Sequence, residues 1–487
     1  MIPRRLRYSV FSFVSCFALL APTLFAQQVG LTSTTIPLQG DLPAKSEIPK
    51  LYDEMDLQQA AQCYLWALPL VAFAQWQYEH EHVFDAHSGD LVVYKTYEDK
   101  LGVLTANATT PYIIAFIDLS KMGPTVVKIP PGHIAGGLGD FWQREMGVIG
   151  EMGPDQGKGG KYLVVPPGQK PPSSDGYRLL DATTMNIFIG FRLLDPDFDK
   201  GMELVRQVKI YSYDKRSAPP PTRVLTPAGR KWYGGQPEGI AYWELLHVIL
   251  QVEPVEERDR FFVAWLKNLG IEKGKPFYPD QRQRRILESG AALGESMAEV
   301  NSFSKRIPDI LHWPDSRWEY VLTMADPSQR LGDIYQFYER TAYFYEAVTY
   351  SKAMISKTPN EGQAYLGEYS DKDGNWFEGS KSYRLHVPAN APAKNFWSLT
   401  VYDTKTRCLI ENPQKRADRS SRDELQRNPD GSIDLYFSPS APHGHESNWV
   451  QTVPGRHWFA YFRLYGPTEQ YFDKSWKMQD IEIVPAS

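Results

Sequence analysis

Cysteine is scarce in this chain, with only 3 residues among 487. A scaffold held together by disulfides is therefore excluded. Cys63 and Cys408 lie far apart in the sequence, so we expect two unpaired thiols, with a single disulfide as the alternative. Basic residues are not in excess either, because Lys and Arg number 53 against 58 Asp and Glu, for a formal net charge of −5. This balance argues against a nucleic-acid partner, which would require a basic face.

Several motifs of catalysis are also absent. The sequence contains no Gly-x-Ser-x-Gly nucleophile turn and no His-Glu-x-x-His helix, so two common routes to hydrolysis lose support. The glycine-rich stretch 153–160 lacks the spacing of a nucleotide-binding loop, and it runs directly into a predicted strand at Tyr162. We interpret it as a hairpin loop.

Long apolar runs are confined to the N-terminus. Arg4, Arg5 and Arg7 precede an apolar run from Val10 to Phe25, and Ala26 offers a small residue for cleavage. We expect residues 1–26 to be a signal peptide and the mature chain to be exported to the periplasm or the extracellular space. An uncleaved membrane anchor is the alternative. We predict no transmembrane segment after cleavage, since no later stretch reaches about 18 uninterrupted apolar residues.

The length predicts two or more domains. Residues 27–52 are expected to form an extended lead-in, and Asp53 or Asp56 a helix cap before an apolar helix, in which Pro69 predicts a kink or a break. Short β-type runs broken by Gly and Pro then dominate to about residue 194, as in 112–119, 124–129, 162–165 and 186–193. Helical periodicity follows in 241–251, 257–269, 281–304 and 332–355, and β-type runs return from Gly362 to the end.

We therefore predict an α+β, β-rich fold with two antiparallel β-sandwich domains and a helical segment between them. The predicted boundaries are 1–26 for the signal peptide, 27–52 for the lead-in, 53–216 for the first helix and sandwich, 217–361 for a connector and helical block, and 362–487 for the second sandwich.

Motifs in both halves carry a family resemblance. In the first half these are the stretches Leu104–Tyr112, Gly153–Tyr162 and Val164–Gly168, which resemble the family catalogued as domain of unknown function 1254. In the second half, Phe396–Asp403, Asn428–Ser432, Asn448–Trp449 and Phe462–Pro467 resemble its usual partner, domain of unknown function 1214. The resemblance implies two jelly-roll-like sandwiches. This chain has Ala108 and Thr109 where the family commonly has an acid, which weakens any role for that carboxylate.

Polar and aromatic motif residues suggest a shared pocket for a small molecule or a glycan. Our ligand-binding candidates are Asn107, Tyr112, Trp142, Trp397, Asn448 and Trp449, and the wider set adds Asp155, Arg456 and Arg463. Catalytic candidates are Asp140, Glu446 and Arg144, because a carboxylate pair could perform acid–base hydrolysis. The alternative is that each motif stabilises its own domain by fixing turns and filling the ends of the sandwich.

Two histidine clusters are candidate metal sites. His80 and His82 would share one face of a strand but diverge on a helix, whereas His443 and His445 flank Gly444 in a loop. The alternative in both places is an ordinary polar surface. The sequence predicts no cofactor. It leaves undecided whether the protein binds a divalent metal and whether it forms a homo-oligomer. The sequence therefore supports two hypotheses. The first is a sandwich protein that binds a ligand without catalysing a reaction, and the second is an exported hydrolase that uses a carboxylate pair or a His-rich metal site.

Overall fold

The computed structural model describes residues 36–173, 175–195 and 197–485. Inter-residue contacts divide the chain into a short unit that ends at Glu54 and a large unit, Met55–Ser487. In the short unit, Leu38–Gln39 (β1) and Leu42–Pro43 (β2) form an antiparallel hairpin. The predicted signal peptide and the first residues of the predicted lead-in lie outside the described residues.

The first helix, α1, spans Ile48–His82 and begins earlier than either predicted cap. It continues through Pro69, although proline lacks the N–H that would bond to the preceding turn. Side chains from other segments bond to carbonyl groups next to this point. Arg340 Nη2 donates to Trp66 O at 2.6 Å, and Gln143 Nε2 donates to Pro69 O at 2.8 Å. The predicted break at the proline is therefore absent from the helix assignment, and tertiary contacts satisfy the backbone around it.

The first half of the large unit forms a two-layer sandwich. Its strands are β3 (Leu91–Tyr94), β4 (Tyr112–Asp118), β5 (Thr125–Ile129), β6 (Ile134–Asp140), β7 (Glu145–Gly150), β8 (Gly160–Val165), β9 (Arg178–Asp181), β10 (Asn186–Leu193), β11 (Lys209–Ser212) and β12 (Val224–Leu225). They form a six-stranded sheet, β12-β3-β4-β10-β6-β7, and a four-stranded sheet, β11-β5-β8-β9. Buried aliphatic side chains such as Ile113, Ile189 and Val127 fill the space between the two sheets.

The second half repeats this plan. Its strands are β13 (Glu319–Tyr320), β14 (Arg330–Leu331), β15 (Ile334–Tyr335), β16 (Gln363–Glu368), β17 (Phe377–Glu378), β18 (Ser382–Val387), β19 (Ala393–Asp403), β20 (Asp418–Ser420), β21 (Ile433–Ser438), β22 (Trp449–Gln451), β23 (His457–Pro467) and β24 (Glu482–Val484). A six-stranded sheet contains β13-β16-β23-β19-β20, with β17 also paired to β23, and a four-stranded sheet has the order β22-β21-β18-β24.

The remaining helices of the described residues are α2 (Leu119–Met122), α3 (Phe198–Gln207), α4 (Ile240–Val252), α5 (Arg260–Asn268), α6 (Gln281–Phe303), α7 (Phe337–Glu346) and α8 (Glu469–Phe472). Three of them, α4, α5 and α6, lie between the two sandwiches in sequence. The helix predicted over 332–355 is wrong at both ends. The β14–β15 hairpin turns at Gly332, whose φ is +57°, and the backbone becomes extended at Ala347. Only ten residues between these points are helical.

The predicted mixed α+β, β-rich class is confirmed. Strand pairing is antiparallel except for the parallel pairs β3–β12, β8–β9 and β21–β22. The predicted domain boundaries stay a prediction. Cys63 and Cys408 are both buried as free thiols. Across the described residues, no helix combines the length and apolarity that crossing a membrane would require.

Candidate functional site

A cavity of about 220 Å³ is lined by strands of both six-stranded sheets, and we call it the inter-sheet cavity. The first half supplies residues from β4, β6, β7 and β10, and the second half supplies residues from β16 and β23. Side chains from α1, from residues 103–106 and from residues 348–351 complete the lining. The cavity thus lies where the two halves of the large unit meet, as pockets often do at domain boundaries.

Glycines create the space on the first side of the cavity. Gly137 on β6 lies directly opposite Gly190 on β10, and Gly139 lies opposite Phe188. A Cβ atom at Gly190 would lie 2.5 Å from Cζ of Phe188, which is closer than real Cβ contacts come. The Phe188 ring thus fills the space next to Gly190, whereas a Cβ at Gly139 would meet only Arg144 O at 3.3 Å, so the room for a ligand lies over Gly139.

Arg463 on β23 is the principal charged group on the second side. It is 3% exposed, and its guanidinium lies 5.1 Å from the ring centre of Tyr461 and 5.3 Å from that of Tyr365. Nη2 donates to Thr105 O at 2.9 Å and Nη1 donates to Thr400 Oγ1 at 3.2 Å. Within the described residues Nε has no hydrogen-bond partner. One donor of a buried cation is thus left available next to the cavity.

A second arginine approaches from the first side. Arg192 on β10 lines the cavity, and its guanidinium lies 5.0 Å from the ring centre of Tyr112. Among the described residues, no carboxylate lies within ion-pair distance of Arg192 or of Arg463. Two guanidinium groups therefore line one cavity without a protein counter-ion. The chemistry of this arrangement favours an anion, because guanidinium groups bind carboxylates and phosphates strongly.

Lys100 adds a third cationic group near Tyr112. It is fully buried, and its Nζ donates to Ala108 O at 3.0 Å and to Thr110 O at 2.9 Å. Burial lowers the pKa of Lys100 to about 7, although Asp418 opposes the shift. This lysine secures the loop that precedes β4, and its charge near neutral pH depends on local conditions.

A buried carboxylate lies behind the cavity wall. Glu346 is the last residue of α7 and is fully buried. Burial raises its pKa to about 7, while Lys305, Tyr369 and Tyr461 act against the shift. Tyr461 lines the inter-sheet cavity, whereas Tyr369 lines a separate, larger cleft of about 900 Å³. Glu346 therefore lies near one tyrosine of the cavity and one of the cleft.

The ligand-binding candidates are not all brought together. Tyr112 lines the inter-sheet cavity, as does Arg463 from the wider set. Asn107 lies beside it, where Oδ1 accepts from the backbone N–H groups of Thr109 and Thr110, and Nδ2 bonds to Tyr465. Asn107 therefore fixes the loop before β4.

The other four ligand-binding candidates lie away from the cavity lining. Trp142 packs 5.0 Å from Trp66, and Trp397 stacks on Phe462 in the second sandwich. The side chain of Asn448 bonds to both backbone groups of Gln426 and to Asp434 O. Trp449 Nε1 donates to Ser438 O at 2.9 Å. Each of the four makes contacts within its surroundings that account for its burial.

The predicted carboxylate pair is similarly divided. Asp140 is 1% exposed and pairs with Arg144, whose Nε lies 2.6 Å from Oδ2, and Thr183 donates to the same oxygen at 2.6 Å. Arg144 also pairs with Glu256. Glu446 is exposed and starts a short 3-10 helix. Neither carboxylate lines the inter-sheet cavity.

Two further candidates of the wider set have ordinary partners. Asp155 Oδ1 accepts from the backbone N–H of Gly150 at 2.8 Å and from the hydroxyl of Tyr162 at 2.6 Å, which closes the glycine-rich hairpin. Arg456 lines the larger cleft and pairs with Asp403 at 3.3 Å.

The histidine candidates do not converge. The helix α1 extends to His82, so His80 and His82 point in different directions. His80 is buried beside Tyr94 at 2.7 Å, and burial lowers its pKa to about 3. His443 is exposed, and His445 contacts Gln426 at 3.1 Å. In the described part of the chain, no group of three or more His, Cys, Asp or Glu side chains is arranged to hold a metal ion.

The sequence analysis did not predict three residues of this region, namely Arg192, Tyr461 and Glu346. A signal for Arg192 was present, because alternation along β10 separates it from the core side chains Ile189 and Phe191. A charged residue on the outer face of an apolar strand indicates a second buried surface there. Glu346 follows the aromatic run 343–345, which is also unusual for an acid. Neither signal identifies the partner surface.

Two family models match the chain, in the order inferred from the motifs. The protein family of unknown function DUF1254 matches residues 90–212, and the protein family of unknown function DUF1214 matches residues 362–469. The predicted resemblance is therefore confirmed. No curated protein matches the sequence.

Two solved structures resemble the fold. The VPA0106 protein from Vibrio parahaemolyticus aligns over 88% of this chain and 100% of its own, with 16% identity and a TM-score of 0.54. An uncharacterized protein from Burkholderia cenocepacia aligns over 88% of this chain and 94% of its own, with 12% identity and a TM-score of 0.40. The first of these supports the fold alone.

Proposed function

We propose that this chain, with its DUF1254 and DUF1214 regions, binds a small organic anion that has an apolar body, in the inter-sheet cavity. The observation that carries the proposal is the pair Arg192 and Arg463, which line one cavity and have no carboxylate partner among the described residues. The other candidate chemistry, hydrolysis by a carboxylate pair, gains no support because Asp140 is paired with Arg144.

The energetic argument begins with desolvation. Burying a cation without a counter-ion is costly, and an anionic ligand offsets that cost with charge-assisted hydrogen bonds. Arg463 has one buried donor without a partner, and Tyr461 has a buried hydroxyl without one, within the described residues. Both residues line the cavity. An oxygen-bearing anion would satisfy both groups at once.

The rest of the lining defines the body of the ligand. It is mainly apolar and includes Phe73, Trp76, Ile114, Phe188, Val321 and Val348. The volume of about 220 Å³ is below the range of roughly 300–1,000 Å³ for drug-sized ligands. A compact carboxylic acid suits such a space better than a glycan chain does.

We also propose that the protein works outside the cytoplasm. The support is the basic, then apolar, then small-residue pattern at the N-terminus. N-terminal sequencing of the protein purified from its native cell should give a chain that begins near Gln27. Recovery of membrane-bound protein with residues 1–26 intact would contradict this part of the proposal.

Binding can be tested with matched acid and amide pairs. Benzoate and hexanoate should bind to the purified chain at least about tenfold more tightly than benzamide and hexanamide in titration calorimetry. The reason is that one charge-assisted hydrogen bond contributes about 1.5–3 kcal/mol, and 1.4 kcal/mol corresponds to tenfold in affinity. Equal affinity for acid and amide, or no binding by either, would contradict an anion site.

A matched pair of arginine variants locates the site. Arg192→Gln should weaken benzoate binding about tenfold. Arg216→Gln is the control, because Arg216 also lies over a tyrosine ring, that of Tyr213 at 4.1 Å, but it is exposed and remote from the cavity lining. The control should bind benzoate as the wild type does. Equal losses in both variants would indicate a nonspecific effect of surface charge.

A further inference from the structure

The wall between the inter-sheet cavity and the larger cleft contains a buried acid. Tyr343 of α7 lines the cavity, and Tyr345, two residues later, lines the cleft. Glu346 ends the same helix and is fully buried. Its Oε1 accepts a hydrogen bond from the Tyr369 hydroxyl at 2.9 Å, on the side of the cleft. Tyr461, which lines the cavity, lies near the same carboxylate, although its hydroxyl has no hydrogen-bond partner among the described residues.

The charges around Glu346 do not balance when it is ionised. Lys305 Nζ lies 3.9 Å from Glu346 Oε1 and 3.1 Å from Glu319 Oε2. The Lys305 side chain is fully buried, and that of Glu319 is 15% exposed. One ammonium group therefore serves two carboxylates, and among the described residues Glu346 Oε2 has no hydrogen-bond partner. A proton on Glu346 removes the excess negative charge.

We infer that the inter-sheet cavity takes up its anion together with one proton, which Glu346 holds. The inference rests on the proposed function and deepens it, since it defines the ligand as a weak organic acid that enters as anion plus proton. No bond of the ligand is made or broken. The proton comes from solvent, and Tyr369, which donates a hydrogen bond to Glu346, lines the larger cleft.

The coupling is electrostatic and passes through Tyr461. Its ring lies 5.1 Å from the Arg463 guanidinium, where the anion would bind, and its hydroxyl lies near Glu346. A negative charge arriving at this distance stabilises the protonated form of a nearby carboxyl group. Burial has already raised the pKa of Glu346 to about 7, so the group titrates near neutral pH. Lys305, Glu319, Tyr369, Tyr461 and Tyr343 are the titratable groups around it.

Calorimetry measures the proton directly. Benzoate is titrated into the full chain at about pH 8 in two buffers with different ionisation enthalpies. The wild type should take up more than about 0.5 proton per benzoate, and its affinity should fall as the pH rises above 7. In Glu346→Gln, uptake should be close to zero and the affinity should not change with pH over this range.

Glu368→Gln is the matched control. Glu368 is also a fully buried carboxylate with a raised pKa, chiefly because of burial, but it accepts from the backbone N–H of Ile481 at 3.0 Å. It does not line the inter-sheet cavity. Proton uptake in this variant should equal that of the wild type.

The outcomes of these titrations distinguish failure of the inference from failure of the proposed function. Benzoate binding by the wild type without proton uptake would overturn the inference and leave the proposed function intact, as would unchanged uptake in Glu346→Gln. Failure of benzoate to bind at any pH would remove the proposed function and the inference together. If Glu346→Gln does not fold, infrared difference spectra of the wild type replace it. Benzoate binding should then increase the protonated-carboxyl band, and an unchanged band would overturn the inference.

Discussion

The two six-stranded sheets contribute opposite properties to one cavity. The face of the first sheet is depleted of side chains, with Gly137 and Gly139 on β6 and Gly190 on β10. The face of the second sheet carries bulky polar groups, notably Tyr461 and Arg463 on β23. The first sheet therefore supplies room and the second supplies most of the chemistry. Sandwiches of similar plan can divide a binding site in this way, because a sheet face can lose side chains without losing its backbone pairing.

Among the glycines of the first sheet, Gly136 should be the one where an added side chain destabilises the fold most. A Cβ atom there would lie 2.2 Å from Gly190 O and 2.5 Å from Phe191 Cα, and backbone atoms in a central strand cannot move away cheaply. We expect Gly136→Ala to lose at least about 3 kcal/mol in the free energy of unfolding, measured by urea denaturation.

Gly139→Ala is the control within the same strand. Its added Cβ would meet only Arg144 O, at 3.3 Å, so the loss should stay below about 1 kcal/mol. Equal losses in the two variants would show that the strand is intolerant of any side chain and that the close approach at Gly136 is not the cause.

Substitutions of Asp140 and Glu446, the carboxylate pair predicted from the sequence, should differ nearly as much in their effect on stability. Asp140→Asn should cost about 2 kcal/mol in unfolding free energy, because it removes the buried one of the two carboxylates that pair with Arg144. Glu446→Gln should stay within about 0.5 kcal/mol, since Glu446 is exposed. Thermal unfolding of both variants provides the measurement. A stable Asp140→Asn variant that has lost ligand binding would instead restore Asp140 to the site.

Glu346 should make the stability of the wild type depend on pH. Its pKa in the folded chain is about 7, above the ordinary value of 4.5, so its contribution to stability is complete below pH 4.5 and is lost as the pH rises through 7. We expect the wild type to lose about 3 kcal/mol relative to Glu346→Gln across this window. Parallel stability profiles for the two proteins from pH 4.5 to 7.5 would contradict this expectation.

The smallest predicted difference concerns the two arginines. Arg463→Gln should cost about 2 kcal/mol, because it leaves the buried Thr105 O without its donor. Arg192→Gln should cost less than about 1 kcal/mol, since Arg192 is only partly buried and lies over the Tyr112 ring at 5.0 Å. Urea unfolding at one pH compares them. A reversed order would mean that the first sheet, and not the second, depends on its arginine for stability.

Local patterns in the sequence predicted the strands well. The run Asn186–Leu193 alternates clearly and forms β10 over the same residues. The helix over 332–355 was overestimated because helical spacing cannot exclude a hairpin that turns at Gly332. Turn chemistry in the flanking residues decided the outcome, and a short β-hairpin leaves little periodic signal.

The candidate site was harder to predict, for a physical reason. Motif residues such as Asn448 hold loops by bonding to several backbone groups, which is a local role that sequence patterns readily reveal. The inter-sheet cavity depends instead on which outer faces of two sheets meet. Alternation along a strand shows which side chains share a face, but it does not show which other sheet packs on that face. Tyr112 and Arg463 were found through their motifs, whereas Arg192 required the pairing of the two sheets.

The two buried thiols have a kinetic consequence. Cys63 lies on α1 and Cys408 in the second half, and neither is accessible to a reagent dissolved in water. Labelling of each sulfur must therefore wait for an opening of the surrounding structure, and its rate reports the frequency of that opening. Mass spectrometry could time the two modifications separately under native conditions. If both sulfurs react at one common rate, the halves open as a single cooperative unit; two different rates would define two unfolding units.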